Sequence, residues 1–282
     1  MPRTLLLLVI ALLPTLYSCA GDPVEEKEEE GHAVDVRAGL KRRSPILRPR
    51  GFTQFRELRR SNFLVPVAFF EADSVLRISN SGKASPTSPE DVYVLPCVAP
   101  RLAQLVNDGY YVAIISNQPE IGKKTANAEQ VDKTLFATVQ AVDRQGGAID
   151  YFDYADQDDE FLKPQTGMGA RLERFLEANY NPSYKIDHRR SFIVGKAVAV
   201  DRQFAENYFG PSMPWQPHYF DAGTFFGWKR RDNKDSFSSV ADAKKFAGLK
   251  DACCDVSHSC AGDGKSSPKG YNPPVYQYPV ND

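Results

Sequence analysis

The stretch FLVPVAFFEADS, residues 63–74, decides the fold. Phe63 to Phe70 is a nearly continuous apolar run, which is what a parallel strand covered on both faces requires. It ends abruptly in two acids spaced one residue apart, Glu71 and Asp73. Further along, Val98 to Val106 has helical spacing and stops before Asn107-Asp108-Gly109, whose glycine suits a helix end. Tyr111 to Ile115 reads as a second buried strand and Ala128 to Val142 as a helix closed by Gly146-Gly147. Ile149 to Tyr154 reads as a short strand. Met168 to Tyr180 is an amphipathic helix with Leu172, Phe175 and Leu176 on one face, and Ser191 to Val194 is a fourth strand. Alternating strands and helices with right-handed crossovers predict an α/β domain, a Rossmann-like three-layer sandwich around a central parallel sheet. Ser79 to Glu90, rich in Ser and Pro, is an irregular excursion from that pattern.

In open parallel sheets ligands gather at the carboxyl ends of the strands. Four polar groups follow or flank the apolar runs there: Glu71-Ala72-Asp73-Ser74, Ser116-Asn117-Gln118, Lys163-Pro164 and Gly195-Lys196. The topology brings two acids, a hydroxyl and two lysines to one crevice, a composition suited to an anionic group such as phosphate.

The order of these motifs, with the stretches SGKASPTSPEDVYVLPCV, NDGYYVAIISNQPEIGK, SFIVGK and DRQFAEN, resembles the haloacid dehalogenase superfamily. Within it the nearest pattern is the subclass III-like branch of polynucleotide kinase 3'-phosphatase domains, which have a minimal cap. The resemblance runs from about residue 65 to 228 and implies a phosphatase fold. In that family an aspartate attacks phosphorus to form an aspartyl-phosphate that water then hydrolyses. By the resemblance, Asp73 matches the acid that protonates the leaving oxygen, Ser116 with Asn117 the phosphate-binding pair, and Lys163 the lysine that neutralises developing charge. Two positions depart. Glu71 stands at the nucleophile, where an added methylene changes the line of attack; about 1 Å of misplacement can cost roughly 10²-fold. Lys196 stands where the family has a magnesium-binding aspartate, and a cation does not ligate a cation. Val75 replaces the usual threonine, and Leu162 a basic residue. Glu71, Lys196 and Asp201 thus make an altered metal site, with Lys196 expected to project inward and satisfy Glu71 and Asp73, so that no cofactor is implied. Magnesium belongs only to the alternative in which Glu71 acts as nucleophile.

The chain ends bound the compartment. Arg3, the apolar residues Leu5 to Leu13 and Leu16-Tyr17-Ser18-Cys19 have the layout of a secretory signal over residues 1–18 with a lipidation site at Cys19; ordinary cleavage after Ala20 is the alternative. The apolar core is shorter than the about 20 residues a membrane span needs. Residues 19–60 read as a polar tether: nine Lys or Arg against one Glu lie between Arg37 and Arg60, a solvated stretch of the kind that links an anchor to a domain. The formal net charge of −1 argues neither for nor against nucleic acid, which export makes an unexpected partner. Residues 61–228 form the domain and 229–282 a loosely ordered tail. In that tail Cys253, Cys254 and Cys260 are expected to pair as in an exported protein, or with His258 to offer metal ligands. Cys97 reads as a buried small hydrophobe. The leading expectation is a periplasmic lipoprotein with a silent or impaired phosphatase domain that binds an anionic or phosphorylated ligand or an envelope protein. The alternatives are an active phosphomonoesterase and a structural envelope lipoprotein.

Overall fold

The computed structural model describes residues 63–213, 217–229, 235–249 and 252–253. The expected signal segment, Cys19, the tether, Cys254, His258 and Cys260 lie outside the described residues. The apolar run of residues 63–70 divides at Pro66, which donates no ladder hydrogen bond, into β1 (Leu64–Val65) and β2 (Val67–Phe70). β2 lies at the centre of a five-stranded parallel sheet. Its neighbours are β5 (Tyr111–Asn117) and then β6 (Tyr151–Ala155) on one side, β8 (Phe192–Gly195) and then β9 (Tyr219–Asp221) on the other. β1 pairs in parallel with β7 (Lys185–Ile186), and β3 (Arg77–Ser79) pairs antiparallel with β4 (Val92–Val94).

Successive side chains of a strand point to opposite faces, and the core divides accordingly. Ala68 and Phe70, with Val112, Ile114, Phe152 and Val194, fill one layer; Val67 and Phe69, with Ala113, Ile115, Tyr151 and Ile193, fill the other. The first layer is covered by α1 (Val98–Asn107) and α2 (Ala128–Arg144), the second by α3 (Gly167–Asn179) and α4 (Gln203–Phe209). Full burial of a phenylalanine such as Phe69 or Phe70 contributes about 1.5–3 kcal/mol. These layers therefore fix β2 and aim residue 71 out of the carboxyl end of the central strand. The expected α/β sandwich is the fold observed.

Several elements differ from expectation, since β3, β4, β7 and α4 were not among the expected strands and helices. β9 and the short α5 (Ala222–Phe225) follow the fourth expected strand; at three and four residues they are too short to present a periodicity. The expected loose tail is ordered over residues 235–249: α6 (Val240–Ala247) begins at the Ser239 cap and buries Ala243 and Phe246 against the first core layer, with Phe237 edge-on to Trp228. Cys97 is also more than a small hydrophobe. Its sulfur is bonded to Cys253, so the expected pairing within the C-terminal cluster is corrected for that cysteine, and the bond ties the segment to the start of α1 across 156 residues of sequence.

A cross-link closing so long a loop restricts the unfolded chain. Cys253→Ser should therefore lower the unfolding free energy by about 2–5 kcal/mol, as read by urea denaturation. Reductant should reproduce the loss in the native protein and leave the variant unchanged.

Candidate functional site

The carboxyl ends of β2, β5 and β8 bring Glu71, Ser116 and Gly195 side by side, as the strand order requires. Lys163 enters from the loop before α3. Its main chain is fixed by Asn117, whose Oδ1 accepts from Lys163 N (2.9 Å) and whose Nδ2 donates to Lys163 O (2.9 Å). The Lys163-Pro164 peptide is cis. With its side chain fully buried, Lys163 places Nζ 2.6 Å from Glu71 Oε2 and 2.6 Å from Asp201 Oδ1. Glu71 Oε1 accepts from Ala72 N (2.8 Å) and from the Ser116 hydroxyl. Asp201 Oδ2 accepts from the main-chain N–H groups of Lys196 and Ala197, both at 3.0 Å. Gly195 makes this approach possible, since a Cβ there would lie 2.4 Å from the Asp201 carboxylate.

Two carboxylates thus share one ammonium in a buried place. Burial raises the Glu71 carboxyl above its ordinary value, Asp201 adds to the rise, and Lys163 only partly offsets it. Burial alone would lower Lys163, but Glu71 and Asp201 together outweigh it and raise the lysine. Both shifts favour the proton-bound form of the group concerned. Every carboxylate oxygen of Glu71 and Asp201 already accepts at least one hydrogen bond, and a fixed ammonium lies between the two acids. That donor set does not fit the magnesium ion of the resembled family, which needs near-octahedral oxygens free to face it.

Lys196 corrects the expectation. Its side chain is exposed, and its contribution to the cluster is the backbone N–H to Asp201. The ammonium facing Glu71 is that of Lys163, while residue 196 follows the end of β8 and leads through a π-helical stretch, Val198–Arg202, to buried Asp201. Asp201 orients that loop. The cluster therefore unites Glu71, Ser116, Lys163 and Asp201, with Asn117 holding Lys163 in place, and leaves Lys196 outside.

Asp73 is held by groups other than Lys163, one of which, Gln118, also donates to Ser116 Oγ at 3.0 Å. Asp73 Oδ1 accepts from Arg77 Nε (2.9 Å); its Oδ2 accepts from Ser85 Oγ (2.9 Å) and Gln118 Nε2 (2.9 Å). Ser74 follows at φ +65°, a left-handed conformation costing a non-glycine residue about 1–2 kcal/mol. The excursion after β3 is organised by Asp91, the last residue of the 3-10 turn Pro89–Asp91. Its carboxylate accepts from the hydroxyls of Ser79 and Ser81 and from the N–H groups of Ser81 and Thr87. Gln130 of α2 donates to Thr87 O. Gln118 belongs to the polar group expected at the crevice, whereas Arg77, Ser85 and Asp91 were not among the expected site residues. Arg77 carried a signal: a cation inside Val75-Leu76-Arg77-Ile78 can be buried only beside an acid, and Asp73 is four residues away.

Lys163→Met should leave Glu71 and Asp201 facing each other unneutralised. Losing one partner of a buried pair costs about 3–5 kcal/mol, and the urea midpoint should fall accordingly. A second expectation concerns Asp91. Burial opposes its ionisation, but the N–H groups of Thr87 and Ser81 and the hydroxyls of Ser79 and Ser81 outweigh that and lower its carboxyl from 3.8 to about 2. A depressed carboxyl stabilises the fold fully above its unfolded value, and this is lost as pH falls through the folded one. The stability gap between the native protein and Asp91→Asn should be constant above about pH 4 and close as pH approaches 2; denaturation series across that window check it.

Residues 66–249 match the family model described as Polynucleotide kinase 3 phosphatase. Among solved structures the chain is similar to a HAD-like phosphatase of Mesorhizobium loti, at 19% identity, covering 53% of this chain and 70% of that one, with a TM-score of 0.45. It is also similar to a D,D-heptose 1,7-bisphosphate phosphatase of B. bronchiseptica, at 16% identity, covering 59% and 99%, with a TM-score of 0.44.

Proposed function

The chain belongs to the Polynucleotide kinase 3 phosphatase family, and from that premise we propose that its domain is a catalytically silent phosphatase fold that works by binding rather than turnover. The observation that carries this reading is the state of Glu71. At the nucleophile position, both of its oxygens are committed, one to Ala72 N and Ser116 and the other to Lys163. An attacking carboxylate needs one oxygen free and in line with phosphorus. An entering phosphoryl group would have to displace Glu71 from Ser116 and Lys163, the two groups that should receive it. The exposure of Lys196 at the family's metal position removes the other requirement, so the domain needs no magnesium.

The same reading places the domain outside the cytoplasm, held by a lipid at Cys19 on the periplasmic side of a bacterial envelope. The Cys97–Cys253 bond supports an oxidising compartment. In that setting the partner is an envelope protein or an anionic, phosphorylated ligand met at the crevice rim rather than at its floor. Export separates the domain from cytosolic nucleic acid.

The purified domain, assayed with 4-nitrophenyl phosphate with and without magnesium, should show no turnover above background, and Glu71→Asp/Lys196→Asp should acquire magnesium-dependent turnover. Magnesium-dependent turnover by the native protein that disappears in Asp73→Ala would overturn the proposal.

A further inference from the structure

Asp73 matches the family's acid although the nucleophile and metal positions have both changed, and its surroundings supply a reason. Arg77 is 1% exposed. One end of its guanidinium donates to Asp73 Oδ1 and the other, Nη1, to Thr138 Oγ1 at 3.0 Å. Thr138 is fixed in turn, donating to Thr134 O at 2.8 Å within α2. The main chain is no freer: Arg77 N donates to Ala72 O, Arg77 O accepts from Ser74 N, and β3 is paired with β4. A guanidinium held at both ends among Val75, Leu76 and α2 cannot rotate away, and without its carboxylate it would be a buried, uncompensated cation. Asp73 is therefore obliged to face Arg77. Its second oxygen is taken by Ser85 of the excursion and by Gln118 after β5.

We infer that Arg77 is a positioning residue that turns Asp73 from the leaving-group side of the crevice toward the β3–β4 hairpin, putting the acid position out of use independently of Glu71 and Lys196. The inference rests on the silent reading above and deepens it. Asp73 persists because the fold needs it to bury Arg77. The first turn after β2, the hairpin excursion and the loop after β5 are then fastened together through one carboxylate.

The test exploits leaving groups. A nitrophenolate departs without a proton, whereas an alkoxide needs one, and general-acid catalysis contributes roughly 10²–10⁴-fold. In the Glu71→Asp/Lys196→Asp background, adding Arg77→Met should raise turnover of β-glycerol phosphate by about 10²-fold or more and leave 4-nitrophenyl phosphate nearly unchanged. Arg77→Lys, which keeps a cation against Asp73, should behave as the background does. Arg77→Met frees only Asp73 Oδ1 to carry and deliver the proton, while Ser85 and Gln118 stay on Oδ2 and the Thr138 hydroxyl stays on Thr134, so the fold should be retained, which thermal melting checks. A separate cycle reads the coupling without turnover: Asp73→Asn should lower the melting temperature much more in the native protein than in Arg77→Met. An equal rise with both substrates, no rise with the alkyl ester, or equal melting losses in the two backgrounds would overturn the inference. Turnover by the unmodified protein sinks the silent reading instead, a distinct result.

Discussion

One ammonium determines the shape of the crevice. Lys163 Nζ sits fully buried between Glu71 and Asp201, and a charge in such a place is tolerable only when paired and hydrogen-bonded. Each neighbouring feature serves that requirement. Asn117 fixes the Lys163 main chain from both sides, Gly195 leaves room for the Asp201 carboxylate, and the N–H groups of residues 196 and 197 satisfy its outer oxygen. Removing Lys163 or either acid would leave a buried charge short of its partner, so the arrangement is held by the cost of its alternatives more than by its net attraction, which desolvation largely offsets. The same network would serve a reaction only if Glu71 could leave it, and there the chemistry and the packing conflict.

Where a segment is long, buried and repetitive, its structure was legible from residues alone. β5 and β8, and the helices α1 to α3, emerge within one or two residues of their expected limits, and the first expected strand ends at Phe70 as expected though Pro66 divides it, because both faces of the strands are covered and each helix has one apolar face. The carboxyl-end rule then placed Glu71, Ser116 and Lys163 together. Side-chain direction was not legible. Lys196 was expected inward from its chemistry, yet the direction of a side chain just beyond a strand end is set by the loop that follows, here the π-helical turn closed by Asp201. Arg77 and Asp91 are the converse case. Asp91 is a charged residue whose partners Ser79 and Ser81 only the folded hairpin brings near, whereas Arg77 had its local signal in Asp73 and gains Thr138 from 61 residues away.

The C-terminal segment shows why composition misleads about order. Residues 235–249 look like a tail, being short and rich in Ser, Lys and Asp, but three aromatic rings decide otherwise. Phe237, Phe246 and Trp228 pack edge to face into the first core layer, and Trp228 Nε1 donates to Pro96 O beside Cys97. An eight-residue helix has too few internal hydrogen bonds to persist alone. Packing against Trp228 and the Cys97–Cys253 bond confine it, so its order is a tertiary property.

A silent phosphatase fold that retained free catalytic groups would be hard to account for, since unpaired buried acids and lysines destabilise a domain without return. This chain avoids that expense by pairing what remains. Glu71, one methylene longer than the aspartate it replaces, reaches both Ser116 and Lys163; Arg77 takes up Asp73; Asp201 closes on its own loop. On the proposed reading, the glutamate at position 71 removes the reactive aspartate and supplies bonds to Ser116 and Lys163, so loss of turnover there and stability of the network would be consequences of the same contacts. On the proposed reading, the crevice floor became structural, and recognition passed to the exposed rim, where Lys196 and the loop after β8 face solvent.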